Sequence, residues 1–427
     1  MSASDPTPAP QPSKLAGAAA QLGPGLITGA ADDDPSGIAT YSQAGAQFGY
    51  AMLWTMVFTL PLMAAIQMVS ARIGFVTGRG LARNVARHAP RPVLVTVVGL
   101  LVIANTLNIA ADLAAMAEAL RLVFGGPAQA YAVTLGLGSL GLQVALPYAR
   151  YVRVLKWLTL ALLAYVAVAF SVHVDWPRVA AQLVSPDLPG GHDTLLMLVA
   201  VFGTTLSPYL FFWQAAQEVE ERHASAGHGR SREAVRAHLR HIRVDTIVGM
   251  AFSNLIAFFI ILSTAATLHA SGITDIQTSA QAAEALRPIA GDATFVLFAL
   301  GIVGTGLLAV PVLAGSAAYA VTEALGWRGS LDLKLGDGQG RGFYGVLAAA
   351  TLGGLALCFT ETDPVRELFW SAVLNGVVAV PIMATMMVLA GRREVMGEHV
   401  IGPWLKTLGW TATAVMAAVV GAMLATA

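Results

Sequence analysis

Cysteine and charge are both scarce in this sequence. One cysteine, Cys358, stands in 427 residues, which excludes intramolecular disulfides and cysteine-based metal centres. Charged side chains make up 12% of the chain, about half of the roughly 25% carried by an ordinary soluble domain. A soluble enzyme surface cannot be assembled from so little charge, and neither can a disordered or coiled-coil chain. Basic and acidic residues number 25 each, so the basic excess that binds nucleic acid is missing as well. No nucleophile–base pair or cofactor fingerprint stands out, which points away from an enzyme and from a resident cofactor. No Gly/Ser linker or charge block divides the chain into domains.

Apolar sequence is what the chain has in plenty. Hydrophobic residues reach 56% and the mean hydropathy is +0.66, as expected of an all-α polytopic membrane protein whose first partner is the lipid bilayer. A crossing takes about 20 apolar residues per helix. Runs at roughly 20–44, 48–71, 92–120, 129–147, 154–173, 193–217, 244–268, 293–322, 343–359, 367–390 and 403–425 predict eleven spans. Residues 1–19, rich in Pro, Ala and Ser, lack the basic start and apolar core of a signal peptide. They read as a disordered cytoplasmic tail ahead of a single membrane domain, 20–427. With the N-terminus inside, every Lys and Arg except Arg121, Arg178, Arg287 and Arg366 falls on the inner side. That bias orients the chain in the cytoplasmic membrane, N-terminus in and C-terminus out. The longest inner loop, 218–243, reads as a solvated connector more readily than as an amphipathic helix.

Two spans are interrupted. The first runs Gly29-Ala30-Ala31-Asp32-Asp33-Asp34-Pro35-Ser36-Gly37. Each carboxylate at the bilayer centre costs about 2.5–3.5 kcal/mol on insertion scales, and Pro35 removes a backbone donor while Gly37 loosens the next turn. The pattern predicts two half-helices meeting at mid-membrane, which is tolerated only beside a cavity or inside protein. The sixth span repeats it with Gly203-Thr204-Thr205-Leu206-Ser207-Pro208-Tyr209. The first and sixth spans open two successive groups of five, about 20–173 and 193–390, with an extra helix at 403–425. An odd number of spans per group inverts the second relative to the first, and matched interruptions in inverted halves point to a transporter's substrate site.

Asp32, Asp33, Asp34, Asp112 and Glu118 lie within spans, and no Lys or Arg occupies the central part of any span to pair with them. Buried carboxylates need a cation, a proton or water. The expected substrate is therefore a cation, with oxygen ligands drawn from Asp34, Asp33, Asp32, Ser36, Ser207 and the carbonyls around Thr204. Oxygen ligation favours Mg²⁺, Mn²⁺ or Ca²⁺. In the third span Asn105, Asn108 and Asp112 share one helix face, a candidate proton or ion path, with interhelical hydrogen bonding as its equal alternative. Asn375, in the tenth span, and Gln214, in the sixth, are candidates for an additional site together with Tyr209. Glu218, Glu220 and Glu221 end the sixth span and suit either a cation-attracting vestibule or a solvated helix end. A Na⁺- or H⁺-coupled symporter of a small organic solute is the alternative function. The oligomeric state stays open, and a monomer is compatible with all of these features.

At the first, third and sixth spans the chain resembles the Nramp family of divalent-metal transporters, most closely the Nramp-related magnesium transporters. That resemblance implies a leucine-transporter-like fold of two inverted five-helix repeats and alternating access. The family motif Asp-Pro-Gly-Asn falls on Asp34, Pro35, Ser36 and Gly37, and Ala-x-x-Met-Pro-His runs from Thr204 to Tyr209. The motif aspartate, a metal ligand, is thus Asp34, whereas the motif's asparagine, methionine and histidine are replaced by Gly37, Ser207 and Tyr209. An aspartate associated with proton transfer aligns with Asp112. Loss of the thioether removes discrimination against hard ions, so the resemblance implies Mg²⁺ or Mn²⁺ as substrate.

Overall fold

A computed structural model describes residues 24–146, 158–224, 232–331, 340–359 and 363–426. The 1–19 tail, Lys14, Arg150, Arg153, Lys156, Arg230, Lys334 and the start of the expected fifth span lie outside the described residues. The described chain is helical, with no strand.

Local sequence sets the helix ends. The first helix, α1 (Pro24–Asp32), stops because a residue ahead of proline is forced out of the helical region. Asp34 accordingly takes φ −72° and ψ 170°, and α2 (Pro35–Phe48) starts with Pro35 in its first turn. Gly49 ends α2 at φ +57°, a backbone conformation that a Cβ would strain. After a 3₁₀ turn come α3 (Leu53–Thr77), the short amphipathic α4 (Leu81–His88), α5 (Arg91–Phe124), α6 (Ala128–Ala145), α7 (Leu163–Ser171) and α8 (Trp176–Val184). The second half holds α9 (His192–Thr205), α10 (Pro208–Ala224), α11 (Arg232–Thr267), α12 (Thr294–Leu325), α13 (Arg341–Leu357), α14 (Pro364–Ala390) and α15 (Pro403–Thr426), with one-turn helices between them. Pro208 starts α10 as Pro35 starts α2.

Among the described residues seven helical stretches are long and apolar enough to cross a bilayer, or eight if Leu160–Ser171 and Trp176–Val184, bent by 114°, make one span. This differs from eleven for identifiable reasons. The 3₁₀ turn at Gly49–Met52 fuses α2 to α3 into one stretch, Pro35–Thr77, and α13 is 17 residues long. The segment expected as a solvated connector is mostly helical, since α10 runs to Ala224 and α11 begins at Arg232. A further helix appears in an expected outer loop. There Asp175 caps α8 by accepting the Arg178 N–H at 3.1 Å.

These helices pack so that both interruptions meet. α1 lies along α11, where the Gly25 N–H donates to Asp245 at 2.6 Å and Gly29 abuts the backbone of Gly249. α2 packs on α9, α11 and α14, and α5 packs on α12 and α14. Large side chains fill the spaces between them, among them Trp213, Tyr41, Phe202 and Phe211, each almost wholly buried.

Candidate functional site

The carboxylate of Asp34 turns back to cap α2, accepting the Gly37 N–H at 2.7 Å; an acid at this position also faces the positive end of the helix dipole. Its second oxygen, Oδ2, accepts from the Tyr209 hydroxyl at 3.2 Å. The same hydroxyl lies 3.0 Å from the carbonyl oxygen of Ala31, in the last turn of α1, where carbonyls have no partner within their own helix. A carboxylate oxygen and a helix-end carbonyl therefore converge on one point across the interruption. Asp34, Ala31 and Tyr209 are all buried.

The aspartate run divides. Ser253 of α11 places its hydroxyl 2.7 Å from Asp32 Oδ2 and 3.1 Å from Asp33 Oδ1. One hydroxyl carries one proton, so it serves one acid at a time. The other oxygen of Asp32 is buried with no hydrogen-bond partner. Asp34 thus faces Tyr209 while Asp32 and Asp33 share α11.

At the α9–α10 joint the Ser207 hydroxyl donates to the Thr204 carbonyl at 2.6 Å and lies 3.2 Å from that of Gly203. Its lone pairs stay available to a cation. A Cβ on Gly37 would sit 3.1 Å from the Thr204 hydroxyl oxygen, so glycine here lets α2 and α9 approach closely. Ser36 points instead to α14, with its hydroxyl 3.0 Å from the Leu368 carbonyl and 3.1 Å from the Ser371 hydroxyl.

The polar stripe of α5 behaves in two ways. Asn105 donates to the Leu313 carbonyl at 2.8 Å and to Ser316 at 2.7 Å, and Asn108 donates to Asn375 at 3.1 Å, joining α5 to α12 and α14. Asp112 is fully buried, and no side chain donates to its carboxylate. The Asp34 carboxylate and the Ser36 backbone N–H both lie near it. Gln214 accepts from Gln67 at 2.5 Å and donates to Thr246 at 3.0 Å, tying α10 to α3 and α11.

A cavity of about 480 Å³ opens near the far end of α2, lined by Ala39, Gln43, Gln47, Asp193, Asp275 and Arg366 among others. A separate small cavity of about 10 Å³ adjoins it, sharing Ala39, Ile276 and Val365 and lined also by Ile38 and Leu368.

The sequence pattern of the Nramp family, described as "Natural resistance-associated macrophage protein-like", matches residues 25–426. The chain belongs to the Nramp family. The divalent metal cation transporter MntH of Klebsiella pneumoniae (strain 342) is 27% identical over 410 residues, covering 94% of this chain and 93% of its own length. MntH of Aeromonas hydrophila subsp. hydrophila is 27% identical over 402 residues, 91% of each chain. The Eremococcus coleocola manganese transporter shares the fold at a TM-score of 0.74 and 16% identity, over 97% of this chain and 89% of that one. Mhp1, a nucleobase-cation-symport-1 family transporter, reaches 0.53 at 12% identity, over 95% and 93%. The protein is thus a multi-pass, all-helical membrane protein of the Nramp family, and not an enzyme.

In this Nramp chain the interruptions involve partners that do not stand out in the sequence. Ser253, Gln67, Thr246 and Ser371 each look like one more small or polar residue in an apolar run. Asp245 sits among the charges expected at the inner end of a span, yet it holds the start of α1. The one signal for Ser253 is the aspartate run itself, two of whose carboxylates, Asp32 and Asp33, its hydroxyl reaches.

Proposed function

We propose that this Nramp protein is a secondary transporter that carries a divalent cation, Mn²⁺ or Mg²⁺, inward across the cytoplasmic membrane by alternating access. The observation that carries the reading is the convergence of Asp34 Oδ2 and the Ala31 carbonyl oxygen on one point, at 3.2 and 3.0 Å from the Tyr209 hydroxyl. Two hard oxygens, one of them charged, suit such an ion. Ser207 and the Thr204 carbonyl complete the site from the α9–α10 joint, and Asp32 and Asp33 act through metal-bound water from the Ser253 side. The carbonyl end of α1 adds negative dipole character favourable to a cation. The MntH relatives are named divalent metal cation transporters, which supports a divalent ion, and the Eremococcus coleocola protein that shares the fold is named a manganese transporter.

The finer architecture belongs to the same proposal. Eleven spans result when α2 and α3 are counted apart and α6, α7 and α13 are each given a crossing. The repeats are then about 20–173 and 193–390, with α15 as the extra helix in a single membrane domain. The N-terminus lies in the cytoplasm and the C-terminus outside. In that orientation the 480 Å³ cavity is an outer vestibule, with the packing around Ile38 and Leu368 closing it from Asp34. Asp112, buried near Asp34 and with no side-chain donor, is the proton carrier if transport is coupled to protons. Asn105, Asn108 and Asn375 hold α5 in register beside it.

Uptake of Mn²⁺ and Mg²⁺ into proteoliposomes, wild type against Asp34→Ala, tests the reading. Loss of uptake in the variant is expected. Undiminished uptake, or stabilisation by amines and not by metals, would turn the function toward a solute symporter.

A further inference from the structure

Away from the interruptions, α10 carries a second collection of metal-ligating groups. Glu218 and Glu221 are three residues apart and share a helix face. His238 approaches them from α11, its Nε2 3.1 Å from Glu218 Oε2. Among the described residues this is the one group of three acid or imidazole side chains whose ligand atoms all lie within 4.8 Å of one another. Glu218 is 1% exposed, and Glu221 keeps a buried oxygen, Oε2, with no hydrogen-bond partner. The imidazole is held in place by Phe75, stacked at 3.9 Å between ring centroids and 16° between planes.

We propose that Glu218, Glu221 and His238 form a second divalent-cation site, built for a borderline ion such as Fe²⁺, Co²⁺ or Zn²⁺ and poor for Mg²⁺ or Ca²⁺. Imidazole is a ligand that the borderline ions accept and the hard ones refuse. Ligand atoms around an ion at about 2.1 Å lie roughly 3.4 Å apart, so the cluster closes by an ångström or so on loading. Glu221 supplies the oxygen that has no other partner, and Glu218 orients the ring or joins it as a ligand. The distance from the interruption separates the two sites. Ten residues part Pro208 from Glu218, about 15 Å at the helical rise, which is half the roughly 30 Å core of a bilayer. The cluster therefore sits at a membrane face, the cytoplasmic one if the transporter reading holds. An ion there ties α10 to α11, and the ligand set would make this mouth selective where the oxygen site at Asp34 is permissive.

Co²⁺ titration of the purified full-length protein, followed by calorimetry and by its visible absorption, tests this. The Asp34→Ala variant, with the mid-membrane site disabled, is expected to bind one Co²⁺. Adding Glu221→Gln or His238→Gln should weaken that binding at least tenfold, with thermal melts confirming an intact fold. An Asp34→Ala variant that binds no Co²⁺, or double variants whose isotherms overlay it, would overturn the proposal. Binding of two ions by Asp34→Ala would instead count against Asp34 as a ligand and leave the second site standing.

Discussion

Replacing Tyr209 with phenylalanine removes a single oxygen, the one that stands between Asp34 and Ala31. For an ion to engage both Asp34 Oδ2 and the Ala31 carbonyl, the hydroxyl at 3.2 and 3.0 Å must first release them. A hydrogen bond to a charged group contributes about 1.5–3 kcal/mol. Here the contact to Asp34 is long and its one proton is shared between two acceptors, so the lower end applies. Without that competition Tyr209→Phe should bind Mn²⁺ about tenfold more tightly, because 1.4 kcal/mol is a factor of ten. The metal-free variant should also melt earlier, since a buried carboxylate oxygen and carbonyl lose their donor, and Mn²⁺ should restore the loss. Calorimetric titration with Mn²⁺ and thermal melts with and without metal read both effects. An affinity unchanged within twofold would mean that the hydroxyl does not compete with the ion, and a weakened one would show that the hydroxyl is itself a ligand.

Ser253→Ala leaves Asp32 and Asp33 without their shared donor and should cost about 1–3 kcal/mol of stability, read as a lower melting temperature that divalent metal partly recovers. Ser207→Met, which restores the family's thioether, should shift competition in a flux assay toward Mn²⁺ or Cd²⁺ and away from Mg²⁺ and Ca²⁺. Gly29→Val should abolish folded protein in size-exclusion chromatography, because a side chain there meets the Gly249 backbone. Gly138→Ala, where nothing lies within 4 Å of the added carbon, should be silent in the same assay.

The two interruptions are legible in sequence because they break strong local rules. Asp-Asp-Asp-Pro cannot continue an apolar helix, and proline fixes both where α1 stops and where α2 starts. The absence of Lys and Arg among mid-span residues likewise needs no coordinates to be read. What is hidden is whatever depends on helices meeting across hundreds of residues. Nothing near position 253 says that its serine will sit beside Asp32, 221 residues away. The aspartate run reads as one triad, whereas helix geometry sends Asp34 toward Tyr209 and the other two toward α11. Asn108 and Asn375 look like separate features and turn out to be partners at 3.1 Å. His238 is obscured in another way, because the charged stretch around it reads as a connector when it is the start of a long helix. The 3₁₀ turn at Gly49–Met52, which runs α2 and α3 into one stretch, is likewise not announced by the sequence.

Anomalous scattering from crystals soaked in Mn²⁺ shows whether Asp34 and the Ala31 carbonyl hold one ion. The expected result is a peak bonded to Asp34 Oδ2 and the Ala31 carbonyl, within reach of Ser207 or the Thr204 carbonyl, and absent from Asp34→Ala crystals. A peak that survives that substitution, or Mn²⁺ bound in wild type with no density between α1 and the α9–α10 joint, would contradict it.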